Sequence, residues 1–144
     1  IARMATDPET VRSARVHLAA AAMRQGNHAG AIEALESIIK ESKRPDTLAS
    51  AAVYKGQSHL GLKQWDQAVL SFLQVPVFYP EQKALLPASL LGSGQALFGL
   101  SDLDRAKATF NELLSTYGAT REAAAARAEL EKIAHYEKAH ELTP

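Results

Sequence analysis

Cysteine is absent from the 144-residue chain. That excludes disulfides, thiolate catalysis and Cys-based zinc or iron–sulfur sites. An excess of either charge is also lacking: Lys plus Arg is 16 and Asp plus Glu is 16. A net charge of zero leaves no basic field for nucleic acid or an anionic membrane, and no acidic tail. Aromatics make up only 6% of the residues, with a single Trp. The first 25 residues lack the charged, apolar and small-residue order of a signal peptide. Residue 1 is Ile, which leads us to expect a processed or excised piece of a longer chain.

No long lipid-compatible run is found either. The uncharged stretch of 18 residues from Ala84 to Ser101 approaches the length of a span. It is interrupted by Pro87, Gly92, Gly94, Gly99 and several polar side chains. That composition suits a helix enclosed by protein, so no direct membrane span is expected. Alanine, in contrast, is abundant, at about a fifth of the chain. It is the best helix former, and the length fits one domain over 1–144.

The chain repeats itself. Arg24–Ala31, Gly61–Ala68 and Gly99–Ala106 align without gaps, and their closing alanines lie 37 and 38 residues apart. Four residues after each alanine stands Leu35, Phe72 or Phe110, and three further on Ile38, Val75 or Leu113. Twelve before each alanine stands Ala19, Gly56 or Gly94. Apolar positions at i, i+4 and i+7 form one helical stripe. Each unit is therefore predicted to be two antiparallel helices, with the small residue of the first facing the alanine of the second. Gly26 suits a left-handed helix end, and Asn27 and Asp102 suit N-caps. Thr6-Asp7-Pro8-Glu9 offers a capping box. The helices are expected near 8–25, 28–42, 47–61, 65–75, 85–99, 103–116 and 120–140.

This pattern resembles the tetratricopeptide repeat, a helix–turn–helix unit that stacks into a right-handed superhelix. The family's small residue, alanine, aromatic and proline correspond to Gly56, Ala68, Phe72 and Pro80 in the second unit. Gly94, Ala106 and Phe110 match in the third, where Gly118 replaces the proline; Ala19, Ala31 and Leu35 match in the first. The resemblance implies an all-α, right-handed α-solenoid of three repeats, at about 10–45, 46–83 and 84–118. A capping helix over 119–141 follows, with a stripe of Ala123, Ala126, Leu130, Ile133 and Ala134. No comparable cap precedes the first helix, so that end is expected to continue into further chain or to meet another chain. The segment Phe72 to Pro80 is similar to that of bacterial cell-envelope members of the family, such as periplasmic Tol–Pal-associated proteins and outer-membrane assembly lipoproteins. The resemblance thus tilts location toward the periplasm or cell envelope.

Catalytic chemistry finds little support. The chain has no His-Glu-x-x-His, Gly-x-Ser-x-Gly, phosphate loop or dinucleotide fingerprint. Glu137 and His140 have the spacing of a carboxylate-bridged metal site, but no second copy accompanies them. Asp102 and Asp104 complement a helix start. His28, His59 and Trp65 fall at packing positions. No catalytic residue, metal site or cofactor is expected.

The function expected is recognition of a protein or peptide. The resemblance carries the family's inner-face positions onto Ser13, Val16, Ala20 and Met23, onto Ser50, Val53, Gln57 and Leu60, and onto Ala88, Leu91, Gln95 and Phe98, with Arg24 flanking. Amides can pair with the backbone of an extended peptide while apolar residues form pockets. The family's carboxylate clamp is disfavoured, because Val16, Ala20 and Tyr54 stand where Lys, Arg or Asn is needed. Two alternatives stay open. These apolar residues can instead pack on a neighbouring helix, on helix 120–140 or on a second copy, and the chain can be a homo-oligomerisation module of a larger repeat protein.

Overall fold

A computed structural model describes residues 7–140. Seven α-helices account for most of them: α1 Pro8–Arg24, α2 His28–Glu41, α3 Pro45–Gly61, α4 Trp65–Phe78, α5 Leu86–Gly99, α6 Leu103–Tyr117 and α7 Arg121–Ala139. A short 3-10 turn over Lys83–Leu85 leads into α5. Among the described residues there is no strand.

Local chemistry explains the boundaries. The Asn27 side chain accepts from Gly30 N at 3.1 Å, Asp102 from Arg105 N at 3.3 Å, and Thr120 from Ala123 N at 3.1 Å. Each satisfies an orphan donor of the first turn. Asp7, rather than Thr6, caps α1 through Thr10 N at 3.2 Å; Thr6 lies outside the described residues. Glu9 does not complete a capping box. It reaches across to the end of α2, accepting from Ser42 Oγ at 3.0 Å and Lys43 N at 3.1 Å. The expected start of α3 also moves: Pro45 is its first residue and Arg44 its cap.

Helix α4 differs most from expectation. It runs through Pro76 to Phe78 instead of stopping at Val75. Pro76 gives up its own N–H and its ring crowds the carbonyl four residues back, but Tyr79 N still reaches Val75 O at 2.8 Å, closing one more turn.

Each helix packs on the next in sequence, and α1, α3, α5 and α7 also pack on one another in turn. Two layers result: odd helices in mutual contact and even helices spread along the other side. This is an α-solenoid of three helical hairpins closed by α7, which takes the place of the next odd helix. Within α7, Ala123, Ala126 and Ile133 are buried, whereas Ala134 is exposed and falls outside the expected stripe.

The close approach expected at Gly56 and Gly94 is present, but its nearest neighbours are rings rather than alanines. Gly56 and Gly94 abut the rings of Phe72 and Phe110, one helical turn beyond the alanines. Gly92 abuts Phe72 from the following unit, and Trp65 covers Gly99. His28 covers Gly61 in the same way, and its buried Nδ1 has no hydrogen-bond partner among the described residues. The small residues therefore make room for bulky rings within and between units.

Candidate interaction surfaces

The odd-helix face carries the residues expected to line a groove, but not all of them are open. Val16, Ala20 and Val53 keep only 2%, 1% and 3% of their surface. Val16 packs with Leu35 and Ile38, and Val53 with Phe72 and Val75. All three hold the hairpins together; Ala20 and Val53 are corrected from groove wall to core, while Val16, nearly buried, still contributes to the wall of a small cleft. Leu60 and Ala88 lean on the second cluster, and Leu91 and Phe98 on the cluster around Phe110.

Phe98 has a further partner. Its ring meets Tyr136 of α7 edge-on, with centroids 6.3 Å apart. Tyr136 in turn stacks on His140 at 4.1 Å. Part of the expected apolar groove is thus covered by the closing helix, one of the alternatives the sequence left open.

What remains accessible on this face is more polar than expected. Ser13, Met23, Ser50, Gln57, Leu91 and Gln95 are half-buried, and Arg24 is exposed. Arg24 sits 5.9 Å from the centre of the Tyr54 ring, within cation–π range. Between α1 and α3 lies a small cleft of about 180 Å³ lined by Ser13, Val16, His17, Asp46, Thr47 and Ser50. Arg44 grips Asp46 through two contacts at 2.8 and 3.1 Å and holds its carboxyl below the ordinary carboxylate range. Among the described residues no group of three or more His, Asp or Glu is arranged to hold a metal ion, and no helix is long and apolar enough to cross a membrane.

The even-helix side holds features that sequence reasoning missed. A groove of about 590 Å³ separates α2 from α4, floored by α3. Ile32, Ile39 and Leu48 give it an apolar base, and Gln64, Gln67, Leu70, Ser71 and Gln74 line one edge. Lys55 and Glu36 pair across it at 3.5 Å, and His59 Nδ1 lies 2.7 Å from Gln64 Oε1. From Leu70 at the groove's rim, the outer face of α4 continues through exposed Leu73, Val77 and Phe78. Comparing the outward positions of the three second helices unit by unit would have revealed it.

Stacked two-layer hairpins with a closing helix define a helical-repeat protein. Residues 13–43 and 88–120 match the tetratricopeptide repeat family, and the two segments fall in the first and third hairpins. Repeats of this kind generally mediate protein–protein contacts. No curated protein matches the chain.

Proposed function

We propose that the chain is a non-catalytic scaffold that holds an extended segment of a partner protein along its odd-helix face. The observation that carries this reading is the pair Gln57 and Gln95. They occupy equivalent positions in successive units, on α3 and α5, which pack directly together. Packed helices lie about 8–10 Å apart, and three residues of extended chain span roughly 10 Å. Two amides at that interval match backbone groups about three residues apart, and each amide offers both a donor and an acceptor. We further propose a bacterial cell-envelope location, on the expectation drawn from the sequence of Phe72–Pro80 alone.

The test is selection of binders from a random peptide library, followed by titration against the Gln57→Ala, Gln95→Ala double variant. Loss of binding by at least tenfold, with unchanged melting temperature, is expected. Full retention would remove the odd-helix face from the reading.

One observation favours an assembly module as a second reading. Leu18 is 69% exposed. Its equivalents one and two units on are Lys55, which pairs with Glu36 of the preceding hairpin, and Ser93, which is buried. The α1 surface around Leu18 therefore corresponds to a surface that units two and three cover with a neighbouring hairpin. Light scattering of the Leu18→Glu variant tests it: a drop from oligomer to monomer supports this reading, and an unchanged mass removes it.

A further inference from the structure

The groove between α2 and α4 holds polar groups that folding does not account for. His59, on its α3 floor, and Ser71, on its α4 wall, are each only 7% exposed. His59 Nδ1 lies 2.7 Å from Gln64 Oε1. An amide oxygen can only accept, so Nδ1 donates and, in the neutral ring, Nε2 is left as an acceptor. Among the described residues neither Nε2 nor the Ser71 hydroxyl has a hydrogen-bond partner. Burying such groups unpaired costs free energy. Both residues border a groove of about 590 Å³, a volume within the range of ligand pockets.

The repeat shows that stacking does not need these groups. At the place of His59 stand Ala22 one unit back and Leu97 one unit on; at the place of Ser71 stand Ala34 and Thr109. Where α4 carries Gln67 and Gln74, α2 carries Gly30 and Ser37, and α6 carries Arg105 and Glu112. A row of uncharged amides beside a buried imidazole is therefore peculiar to this groove.

We propose that the groove holds a short, uncharged, extended peptide segment, its backbone read by the α4 wall and its alternate apolar side chains seated on the base. Three observations select this occupant. The first is charge. Glu36 and Lys55 meet each other across the groove at 3.5 Å, so a charged ligand finds no unpaired counter-ion. The second is spacing. Gln67, Ser71 and Gln74 stand at i, i+4 and i+7, and the outer two lie about 10 Å apart along the axis at ~1.5 Å per residue. Three residues of extended chain cover roughly the same distance. Each glutamine offers both a donor and an acceptor, as a peptide group does, whereas a hydrocarbon ligand would leave the row unpaired. The third is one-sided polarity. The base is apolar at Ile32, Ile39 and Leu48, and successive side chains of an extended chain point to opposite sides. Every second one can meet that base while a backbone N–H donates to His59 Nε2. Main-chain hydrogen bonds then give affinity, and the base selects side chains. The site is independent of Gln57 and Gln95, which lie in the other helix layer.

A positional-scanning library of pentapeptides, acetylated and amidated at their ends and free of charged side chains, tests the proposal by heteronuclear NMR titration of the whole chain. Saturable binding is expected with Kd between about 10 μM and about 1 mM, strongest for members with apolar residues two positions apart. Signals of the His59 ring and of the Gln67 and Gln74 amides should shift, and those of Gln57 and Gln95 should not. His59→Leu installs the residue of the third unit and Ser71→Ala that of the first, so both should fold. Each should weaken binding about fivefold, whereas the Gln57→Ala, Gln95→Ala double variant should bind normally. Gln67 and Gln74 are exposed, so Gln67→Ala with Gln74→Ala should keep the melting temperature and weaken binding about tenfold; this holds the test open even if His59→Leu folds poorly. Absence of any member binding below about 1 mM overturns the proposal. So does equal binding of peptides carrying Glu or Lys, or binding indifferent to these groove variants. Binding lost in the Gln57→Ala, Gln95→Ala variant but kept in His59→Leu assigns the peptide to the odd-helix face, which overturns this site and supports the other.

Discussion

The ring of Phe72 occupies the space in which a side chain at Gly92 would stand. Phe72 belongs to the second hairpin and Gly92 to the third. A Cβ added at Gly56, on the other odd helix, would come within 2.8 Å of the same ring. One fully buried aromatic thus packs against bare backbone on α3 and on α5, and couples folding within a unit to stacking between units.

That arrangement sets the sign of Gly92→Ala. In an unobstructed helix interior, replacing Gly by Ala gains about 1 kcal/mol. Here the ring is fully buried and also hemmed in at Gly56, so it cannot withdraw. Overpacking costs on the order of 1–3 kcal/mol and outweighs the propensity gain. The melting temperature should fall by about 2–4 °C for each net kcal/mol. In a Phe72→Leu background the penalty should shrink, so a double-mutant cycle isolates the contact. A rise in melting temperature for Gly92→Ala alone would contradict the close approach.

Acid should weaken the first hairpin through Glu9. The Lys43 backbone N–H, the Ser42 hydroxyl and Arg12 hold its carboxyl below the ordinary value of 4.5. Thr10 does the same for Asp7, and Arg44 for Asp46. A carboxyl depressed on folding contributes stability that is present above its unfolded pKa and lost as pH falls through the folded one. The melting temperature should therefore be flat above about pH 5 and decline below about pH 4. Glu9→Gln should lower it at neutral pH and make the acid decline shallower. An unchanged acid slope in that variant would mean that the Glu9 bonds add nothing.

The fold was largely legible because a repeat states its rule three times. Gly26, Lys63 and Ser101 fall at one turn position, and Ala31, Ala68 and Ala106 at one buried position, so each unit checks the others. The site was less legible for a physical reason. Odd helices touch their own partner and the next odd helix at once, so Val16, Ala20 and Val53 are consumed by packing although they lie at inner-face positions. Periodicity also cannot tell an apolar residue that faces a core from one that faces water, which concealed the stripe on α4. Helix α4 outran its expected end because the lost bond and ring crowding at Pro76 are local costs, and the following turn closes through Tyr79 N and Val75 O.

The turns within the hairpins carry strain that glycine should relieve. Gly26 has φ +92°, and at the equivalent places Lys63 and Ser101 adopt φ +59° and +62°. A left-handed conformation costs a residue with a Cβ roughly 1–2 kcal/mol, part of which glycine gives back through its greater freedom in the unfolded chain. Lys63 is exposed, and Ser101 is exposed as well, so neither side chain contributes packing that the change would lose. Lys63→Gly and Ser101→Gly should each stabilise the protein by on the order of 0.5–1 kcal/mol. They lie in different hairpins and share no bond, so their effects should add in the double variant. The converse change, Gly26→Ala, forces a Cβ into the same region and should destabilise the first hairpin by about as much. Thermal denaturation of the four variants checks the set: Lys63→Gly and Ser101→Gly leaving the melting temperature unchanged or lower would show that the left-handed turns are not strained.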